Sequence, residues 1–258
     1  MADFKDQMNR SIRLEASPSR IVSLVPSQTQ LLHYLGLEDE VVGITKFCVK
    51  PKEWFNSKVR VGGTKSVDID IVLALMPDLI IGNKEENLKD DIEKLESIAP
   101  VWMSDIDTLE SALEMIAQLG KIVGKDTSEL INQIEWEFSR LSTYVGQLKS
   151  KQVLYFIWKE PNMVAGKGTF VDDMLERCGL INATTINRYP VVDEEIDPEV
   201  ILLSSEPYPF KEEHLKIFQF RYPNAKILLA DGEMFSWYGS KLKDAPEYFI
   251  KLLQQIQD

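Results

Sequence analysis

The chain has 258 residues, 44% of them hydrophobic and 27% charged, with a formal net charge of −12 at pH 7. This composition is typical of a folded globular protein, and the length suits one large domain or two smaller ones, which excludes general disorder. The negative charge makes nucleic acid and anionic membrane surfaces poor partners, because both repel an acidic protein.

At the start of the chain, residues 1–18 alternate charged residues with isolated apolar ones. They contain no apolar run of the kind that a secretory signal requires. As the sequence stands we therefore expect a cytoplasmic protein, and a periplasmic or other extracytoplasmic location is the alternative if a leader was removed. The apolar runs further along are shorter than the ~20 residues of a membrane span, so we do not expect a membrane-embedded protein.

Short β-branched runs alternate with helical patterns from residue 20 to residue 123, which indicates βαβ units and a largely parallel sheet. The predicted strands cover residues 20–25, 41–45, 79–81 and 101–103. The predicted helices cover residues 28–34, 69–75, 86–97 and 109–123. Ser27 is placed to cap the first of these helices and Pro77 to end the second.

Apolar residues recur at helical spacing from residue 126 to residue 148, with Leu130, Ile134, Phe138 and Leu141 among them. One uninterrupted helix of this length would run on the order of 30 Å. Further predicted strands (153–158, 200–203 and 226–229) and helices (170–178 and 245–256) follow it. The sequence therefore predicts an α/β fold of two Rossmann-like lobes joined by a single long helix. The predicted boundaries are an N-terminal lobe at 1–125, a connecting helix at 126–149 and a C-terminal lobe at 150–258.

Three motifs in the first half carry a family resemblance, namely Val22-Ser23-Leu24-Val25-Pro26-Ser27, Val41-Val42-Gly43-Ile44 and Leu73-Ala74-Leu75-Met76-Pro77-Asp78-Leu79-Ile80-Ile81. Together they resemble the cobalamin- and ferric-siderophore-binding proteins of ABC importers, the helical-backbone metal receptor family. The likeness extends over nearly the whole chain from Arg20. The resemblance implies a non-catalytic substrate-binding protein with two α/β lobes, one rigid connecting helix, and a ligand in the cleft between the lobes.

The resemblance also implies docking to a transporter. In the family, an acidic residue at the start of a helix in each lobe contacts arginines of an ABC permease. Asp70 matches the first acidic residue, and Glu194 or Glu195 matches the second. A structural alternative is that these acids complement the helix dipole.

Ligands of open α/β sheets bind beyond the carboxyl ends of the strands, so the loops that follow strands are the candidate ligand site. We interpret the lysines in these loops as a local positive patch for an anionic ligand, and ordinary solvated loops are the alternative. The candidate ligand-binding residues of these loops are Pro26, Ser27, Lys46, Phe47, Cys48, Thr64, Lys65, Lys84, Trp158, Lys159 and Lys167.

The densest aromatic segment, residues 231–239, follows a predicted strand and contains glycines near both ends. We interpret it as a loop whose flat side chains form a platform for a ligand face, with packing in the core as the alternative. Trp237 is similar in position to a second-lobe tryptophan of the cobalamin-binding relatives, whereas their first-lobe tryptophan has no counterpart here. The candidate residues from this half of the chain are Glu206, Tyr208, Glu233, Phe235, Trp237 and Tyr238.

Two other classes of function stay open. The first is a cytoplasmic ligand-binding or sensor module of the same fold that is not coupled to a permease. The second is an enzyme in which Cys48, beside Lys46, is the nucleophile. The two histidines, His33 and His214, have no second ligand at a useful spacing, so we expect no metal held by the protein. We expect a monomer without a required cofactor, whose small-molecule ligand is a corrinoid such as cobalamin or a ferric chelate.

Overall fold

The computed structural model describes residues 2–192 and 196–257. The chain divides into two compact units. The first unit contains Met1–Ile106, Glu110–Ile131 and Tyr238–Lys241, and the second contains Asp107–Leu109, Asn132–Trp237 and Leu242–Asp258. The lobe boundaries at residues 125 and 150 stay a prediction.

The first unit is built around a parallel sheet. In chain order its strands are β1 (Ala2–Lys5), β2 (Ser11–Leu14), β3 (Ile21–Ser23), β4 (Val41–Ile44), β5 (Val59–Arg60), β6 (Gly62–Gly63), β7 (Ser66–Val67), β8 (Leu79–Asn83) and β9 (Val101–Ser104). The helices of this part of the chain are α1 (Pro26–Tyr34), α2 (Lys52–Ser57), α3 (Ile69–Leu75), α4 (Lys89–Leu95) and α5 (Leu109–Val123).

Five of these strands form the main sheet in the order β5-β4-β3-β8-β9, and every neighbouring pair is parallel. Strands β3, β8 and β9 are buried along their whole length. Helices cover both faces of such a sheet, and its strands therefore appear in the sequence as continuous apolar runs. This is why the central strands of this sheet could be predicted.

Residues 2–14, for which no element was predicted, form an antiparallel hairpin of β1 and β2. The turn of this hairpin lies against β9, the edge strand of the main sheet, and Gln7 N donates to Met103 O at 3.1 Å. An edge strand leaves unpaired backbone groups that could bind another chain. The hairpin satisfies part of this edge.

The predicted long helix is present as α6, which runs from Ser128 to Val145. Asp126 accepts hydrogen bonds from Ser128 N at 2.9 Å and Ser128 Oγ at 2.7 Å, which satisfies backbone groups at the helix start. The apolar stripe that predicted the helix is buried at Leu130, Ile134 and Leu141. Helix α6 begins in the first unit and continues into the second.

The second unit repeats the parallel α/β plan. Its elements are β10 (Gln152–Trp158), β11 (Met163–Val164), α7 (Phe170–Arg177), β12 (Ile181–Asn182), β13 (Val200–Ser204), α8 (Glu212–Arg221), β14 (Lys226–Ala230), α9 (Gly232–Ser236) and α10 (Ala245–Gln257). A 3₁₀ turn at Ser240–Lys243 precedes α10, and its first two residues belong to the first unit. Strand β10 pairs with β13 and β13 with β14 in parallel, while β11 adds an antiparallel edge. Leu154, Phe156, Ile201, Leu203 and Phe218 form the centre of its core.

The fold class is therefore the predicted one, α/β with two Rossmann-like units and one long helix that carries the chain from the first to the second. Among the described residues, no helix combines the length and the apolar character needed to cross a bilayer.

Candidate functional site

In the first unit, the predicted ligand-binding residues gather at the carboxyl ends of the strands. Helix α1 starts almost directly after β3, with Pro26 and Ser27 in its first turn. A Cβ atom at Gly63 would lie 3.2 Å from the Phe47 ring and 3.3 Å from Lys46 Cε, so the loop after β4 contacts the β6–β7 hairpin. Parallel strands end at the same edge of a sheet, and this common edge is where α/β proteins bind ligands.

Two buried asparagines, which were not predicted, hold the loops of this edge in place. Asn83 N donates to Asn87 Oδ1 at 2.8 Å, and Asn87 Nδ2 donates to Thr64 O at 2.9 Å. Asn83 Oδ1 accepts from the backbone N–H groups of Glu85 at 2.8 Å and Glu86 at 3.1 Å. The loop that contains Thr64 is thereby tied to the loop after β8. In the sequence, the only signal for this network is that Asn83 and Asn87 follow an apolar strand.

The predicted lysines of the first unit differ in their surroundings. Lys84 forms an ion pair with Asp105 at 2.6 Å, so its charge is largely compensated. Lys46 lies 5.3 Å from the centroid of the Phe47 ring, and Lys65 is exposed. The positive patch stays a prediction, with Lys46 and Lys65 as its strongest members.

Cys48 is fully buried, and its Sγ lies 3.1 Å from the hydroxyl oxygens of both Thr29 and Thr45. Burial raises the pKa of the Cys48 thiol, although hydrogen bonds from Thr29 and Thr45 act in the opposite direction. A nucleophilic cysteine needs an accessible thiolate. The burial of Cys48 disfavours the interpretation as an enzyme nucleophile, because desolvation favours the neutral thiol over the thiolate and limits access to it.

Both cysteines of the chain are expected to react slowly with a disulfide thiol reagent in the native state. Cys178 is buried as well, and burial alone raises the pKa of its thiol strongly. We expect both thiols of the chain to react at once in denaturant and far more slowly in buffer. The absorbance of the thiolate released by the reagent measures both reactions. A thiol that reacts as fast in the native protein as in the unfolded one would contradict this placement.

In the second unit, the predicted residues again follow strands. Trp158 ends β10, Glu206 and Tyr208 follow β13, and Glu233 lies in α9 directly after β14. The basic candidates of this unit have acidic neighbours, since Lys159 pairs with Glu160 at 3.3 Å and Lys167 pairs with Asp172 at 3.1 Å. These two pairs reduce the positive charge that the sequence suggested.

Residues 232–236 of the aromatic segment form a short helix, α9, where a loop was predicted, whereas Trp237 and Tyr238 follow this helix in a loop. Phe235 is fully buried, with its ring centroid 4.8 Å from that of Tyr155 and 4.7 Å from that of Phe249. The burial of Phe235 favours the alternative, packing in the core, over a ligand platform. Trp237 and Tyr238 are also buried, and their roles in ligand binding stay predictions.

Buried polar atoms of this segment are satisfied by carboxylates. Trp237 Nε1 donates to Glu206 Oε1 at 2.9 Å, and Ser236 Oγ donates to the same oxygen at 2.6 Å, all within the second unit. Tyr238, which belongs to the first unit, donates from its hydroxyl to Glu86 Oε1 at 2.9 Å. Burial raises the pKa of Tyr238 well above its usual value, and the charge of Glu86 adds to this.

Burial raises the pKa of Glu206, the hydrogen bond from Ser236 lowers it, and the negative charges of Glu233 and Asp231 raise it further. Because the folded-state pKa lies above the unfolded one, ionised Glu206 reduces stability above the folded pKa. This cost disappears as the pH falls below the unfolded value of about 4.5.

Replacing Glu206 by glutamine is expected to stabilise the protein more at about pH 7 than at about pH 4.5, because the amide oxygen still accepts hydrogen bonds and carries no charge. Glu199→Gln provides a control of opposite sign, since Gln152 N and Lys151 lower the pKa of Glu199. That variant is expected to lose stability near neutral pH and to match the wild type in acid. Urea unfolding at both pH values measures the differences, and equal gains for Glu206→Gln at both would contradict the pKa direction.

The predicted docking residue of the first unit is accessible. Asp70 is exposed in the first turn of α3, and the neighbouring Asp68 caps this helix by accepting from Ile71 N at 3.1 Å. Glu194 and Glu195, the candidates for the second acidic residue, lie outside the described residues.

Polar and aromatic side chains beyond the carboxyl ends of parallel strands are typical of small-molecule binding sites in α/β proteins. Residues 21–216 match the periplasmic binding protein family, and the chain belongs to this family.

Relatives and a solved structure agree with this membership. The chain is 27% identical over 180 residues to an uncharacterised ABC transporter substrate-binding lipoprotein of Bacillus subtilis, covering 66% of this chain and 57% of the relative. It is 27% identical over 203 residues to a vitamin B12-binding protein of Vibrio parahaemolyticus, covering 72% and 70%. The petrobactin-binding protein YclQ of Bacillus subtilis has the same fold, with a TM-score of 0.79, 18% identity and coverage of 100% and 98%. The chain spans little more than half the length of the first of these relatives.

Proposed function

We propose that this protein is the substrate-binding component of an ABC importer and that it binds a metal chelate of the corrinoid or ferric-siderophore class without catalysing a reaction. The observation that carries the proposal is the family match over residues 21–216, which extends from the first unit into the second. The names of the relatives supply the ligand class, since one binds vitamin B12 and a protein of the same fold binds petrobactin.

The metal in this proposal belongs to the ligand. Within residues 2–192 and 196–257, no three His, Cys, Asp or Glu side chains come together in an arrangement suited to a metal ion. The metal of a chelate is already coordinated by the chelate. The protein therefore binds the chelate by shape complementarity, ring contacts and polar groups, and does not need to supply ligands to the metal. The buried Cys48 supports a receptor over an enzyme.

The proposed location is extracytoplasmic. The family description and the lipoprotein among the relatives support it, whereas nothing supports the cytoplasmic location expected from the sequence. The proposed partner is an ABC permease, which Asp70 on α3 would contact through a basic side chain. The matching contact through Glu194 or Glu195 stays a prediction.

Titration of the purified protein with three chelates tests the proposal. The probes are cyanocobalamin, ferric petrobactin and a ferric trihydroxamate, each followed by isothermal calorimetry and by its visible absorption. We expect at least one to bind with a dissociation constant of about 1 μM or tighter and a stoichiometry of one. A protein that is folded by circular dichroism and binds none of the three would contradict the proposal.

A further inference from the structure

Strand β14 is an open edge of the sheet in the second unit. The sheet order is β11-β10-β13-β14, so among the described residues β14 pairs only with β13. The other edge strands of the two main sheets are protected or short. Strand β9 lies against the β1–β2 hairpin, and β5, β11 and β12 have two residues each. With five residues, β14 is the longest edge that is left open.

The odd-numbered residues of β14 direct their backbone groups away from β13. Lys226 N donates to Glu199 O at 2.9 Å, so the even-numbered residues of β14 bond to β13. Hydrogen-bonding groups of successive residues in a strand point to opposite sides. The N–H and C=O groups of Ile227 and Leu229 therefore face the open edge, as a row of donors and acceptors to which another strand can pair.

The side chains near this edge are apolar and accessible. Leu229 is 37% exposed on β14. On α8, which packs against β14, Ile217 is 54% and Phe220 is 91% exposed. Proteins usually protect an edge strand with a proline, a bulge or charged side chains along it, whereas the only charged residue of β14 is Lys226 at its first position. An edge of this kind favours pairing with another strand.

Strand β14 is complementary to a second copy of itself. When two β14 strands run antiparallel about a two-fold axis at Leu228, Ile227 of each copy lies opposite Leu229 of the other, and each such pair exchanges its hydrogen bonds. The charges also match, because β14 begins at Lys226 and is followed directly by Asp231. The antiparallel arrangement brings each lysine to the end where the aspartate of the other copy lies.

We propose that this protein forms a homodimer in which the β14 strands of two copies pair antiparallel and join their sheets into one. The inference goes beyond the proposed function, which needs no second copy, and it differs from the monomer expected from the sequence. We expect a weak dimer with a dissociation constant on the order of 10 μM, because one short strand pair buries less surface than a standard interface. The net charge of −12 also limits the affinity, since two acidic copies repel each other.

Leu229→Lys tests the dimer, with Val59→Lys as the matched control. A lysine at Leu229 places a charge on the accessible edge and opposes pairing. Val59 is an apolar residue of similar exposure, 44%, on the two-residue edge strand β5. Sedimentation equilibrium from about 1 to 100 μM measures the association. We expect Leu229→Lys to weaken dimerisation at least 10-fold or so and Val59→Lys to leave it within about twofold of the wild type.

Cysteine variants test the antiparallel register. Leu228 would lie opposite Leu228 of the other copy in a non-hydrogen-bonded pair, with Cα atoms about 4.5 Å apart, which suits a disulfide. We expect Leu228→Cys to form an intermolecular disulfide on oxidation. In Leu229→Cys the two cysteines would be two residues out of register and beyond the roughly 7 Å limit of a disulfide. Cys48 and Cys178 are buried and do not compete.

Each outcome supports or contradicts the homodimer. A wild type that stays monomeric at about 100 μM would overturn the inference and leave the edge to a strand of a different protein. Dimerisation of Leu229→Lys as strong as that of the wild type would also overturn it, as would equal disulfide formation by the two cysteine variants. Circular dichroism of each variant shows that lost association is not lost folding. Chelate binding is measured separately, so the receptor function can fail or hold without the dimer.

Discussion

Replacing Gly62 by alanine is expected to destabilise the first unit by about 3 kcal/mol. Gly62 has φ of +94°, which an L-residue rarely adopts. A Cβ atom there would lie 2.4 Å from Ser66 O and 2.9 Å from Asp68 N, both of them backbone atoms that cannot rotate away. The β6–β7 hairpin would have to open, and Thr64 and Lys65 at its turn would move with it. We therefore expect weaker ligand binding as well.

Gly168→Ala is the control for backbone strain alone. Gly168 has φ of +69°, and no heavy atom lies within 4 Å of the position its Cβ would take. We expect this variant to lose only about 1 kcal/mol, the cost of a left-handed alanine. Urea unfolding followed by tryptophan fluorescence measures both variants. Equal losses would show that close backbone contact at Gly62 has no effect.

Asp6→Ala is expected to destabilise the first unit by about 3 kcal/mol, because a fully buried carboxylate would be lost from a network of donors. Asp6 accepts from Arg10 N and Arg10 Nε, both at 2.7 Å, from Met8 N at 3.1 Å and from Met103 N at 3.3 Å. The first three contacts hold the turn of the β1–β2 hairpin, and the last joins it to the edge strand β9. Removing the carboxylate takes an acceptor from the backbone N–H groups of Met8, Arg10 and Met103, while the guanidinium of Arg10 keeps its contacts with Glu96 and Val101 O.

Asp3→Ala provides the comparison within the same hairpin. Asp3 pairs with Arg13 at 2.8 Å, and both side chains are about two-thirds exposed, at 66% and 69%. Exposed pairs contribute little to stability, so we expect a much smaller loss than for Asp6→Ala. Urea unfolding gives the free energies, and hydrogen exchange at the Met103 amide reports the hairpin contact directly. A stable Asp6→Ala variant with a protected Met103 amide would show that other contacts hold the hairpin.

Much of the fold could be predicted from local pattern. The apolar run 79–81 forms the first three residues of β8, and the periodic stripe of residues 126–148 is α6, with ends that differ by two or three residues. The β1–β2 hairpin was missed, because its strands are short and mostly exposed and its main anchor is the long-range contact of Asp6 with β9. Helix α9 was missed because it is only five residues long and begins at Gly232, a residue that is typical of loops.

The location of the candidate site could be predicted from the sequence, but the exposure of its side chains could not. Residues that follow strands had to meet at one edge of each sheet, and Lys46, Phe47 and the loop at Thr64 do so in the first unit. Which aromatic residue faces solvent could not be predicted, because burial depends on packing partners distant in the sequence. Phe235 packs against Phe249 and is fully buried, whereas Trp158 ends a strand and stays accessible.

The amino-acid sequence by itself determined the α/β class, the order of the main strands along the chain and the long helix, since each follows from hydrophobic periodicity within one segment. Tertiary structure alone decided the state of each candidate side chain. It buried the thiol of Cys48, enclosed the carboxylate of Glu206 with two donors and left the indole of Trp158 in water. The physical reason is that desolvation and hydrogen bonding are set by neighbours from other elements, which no local pattern specifies.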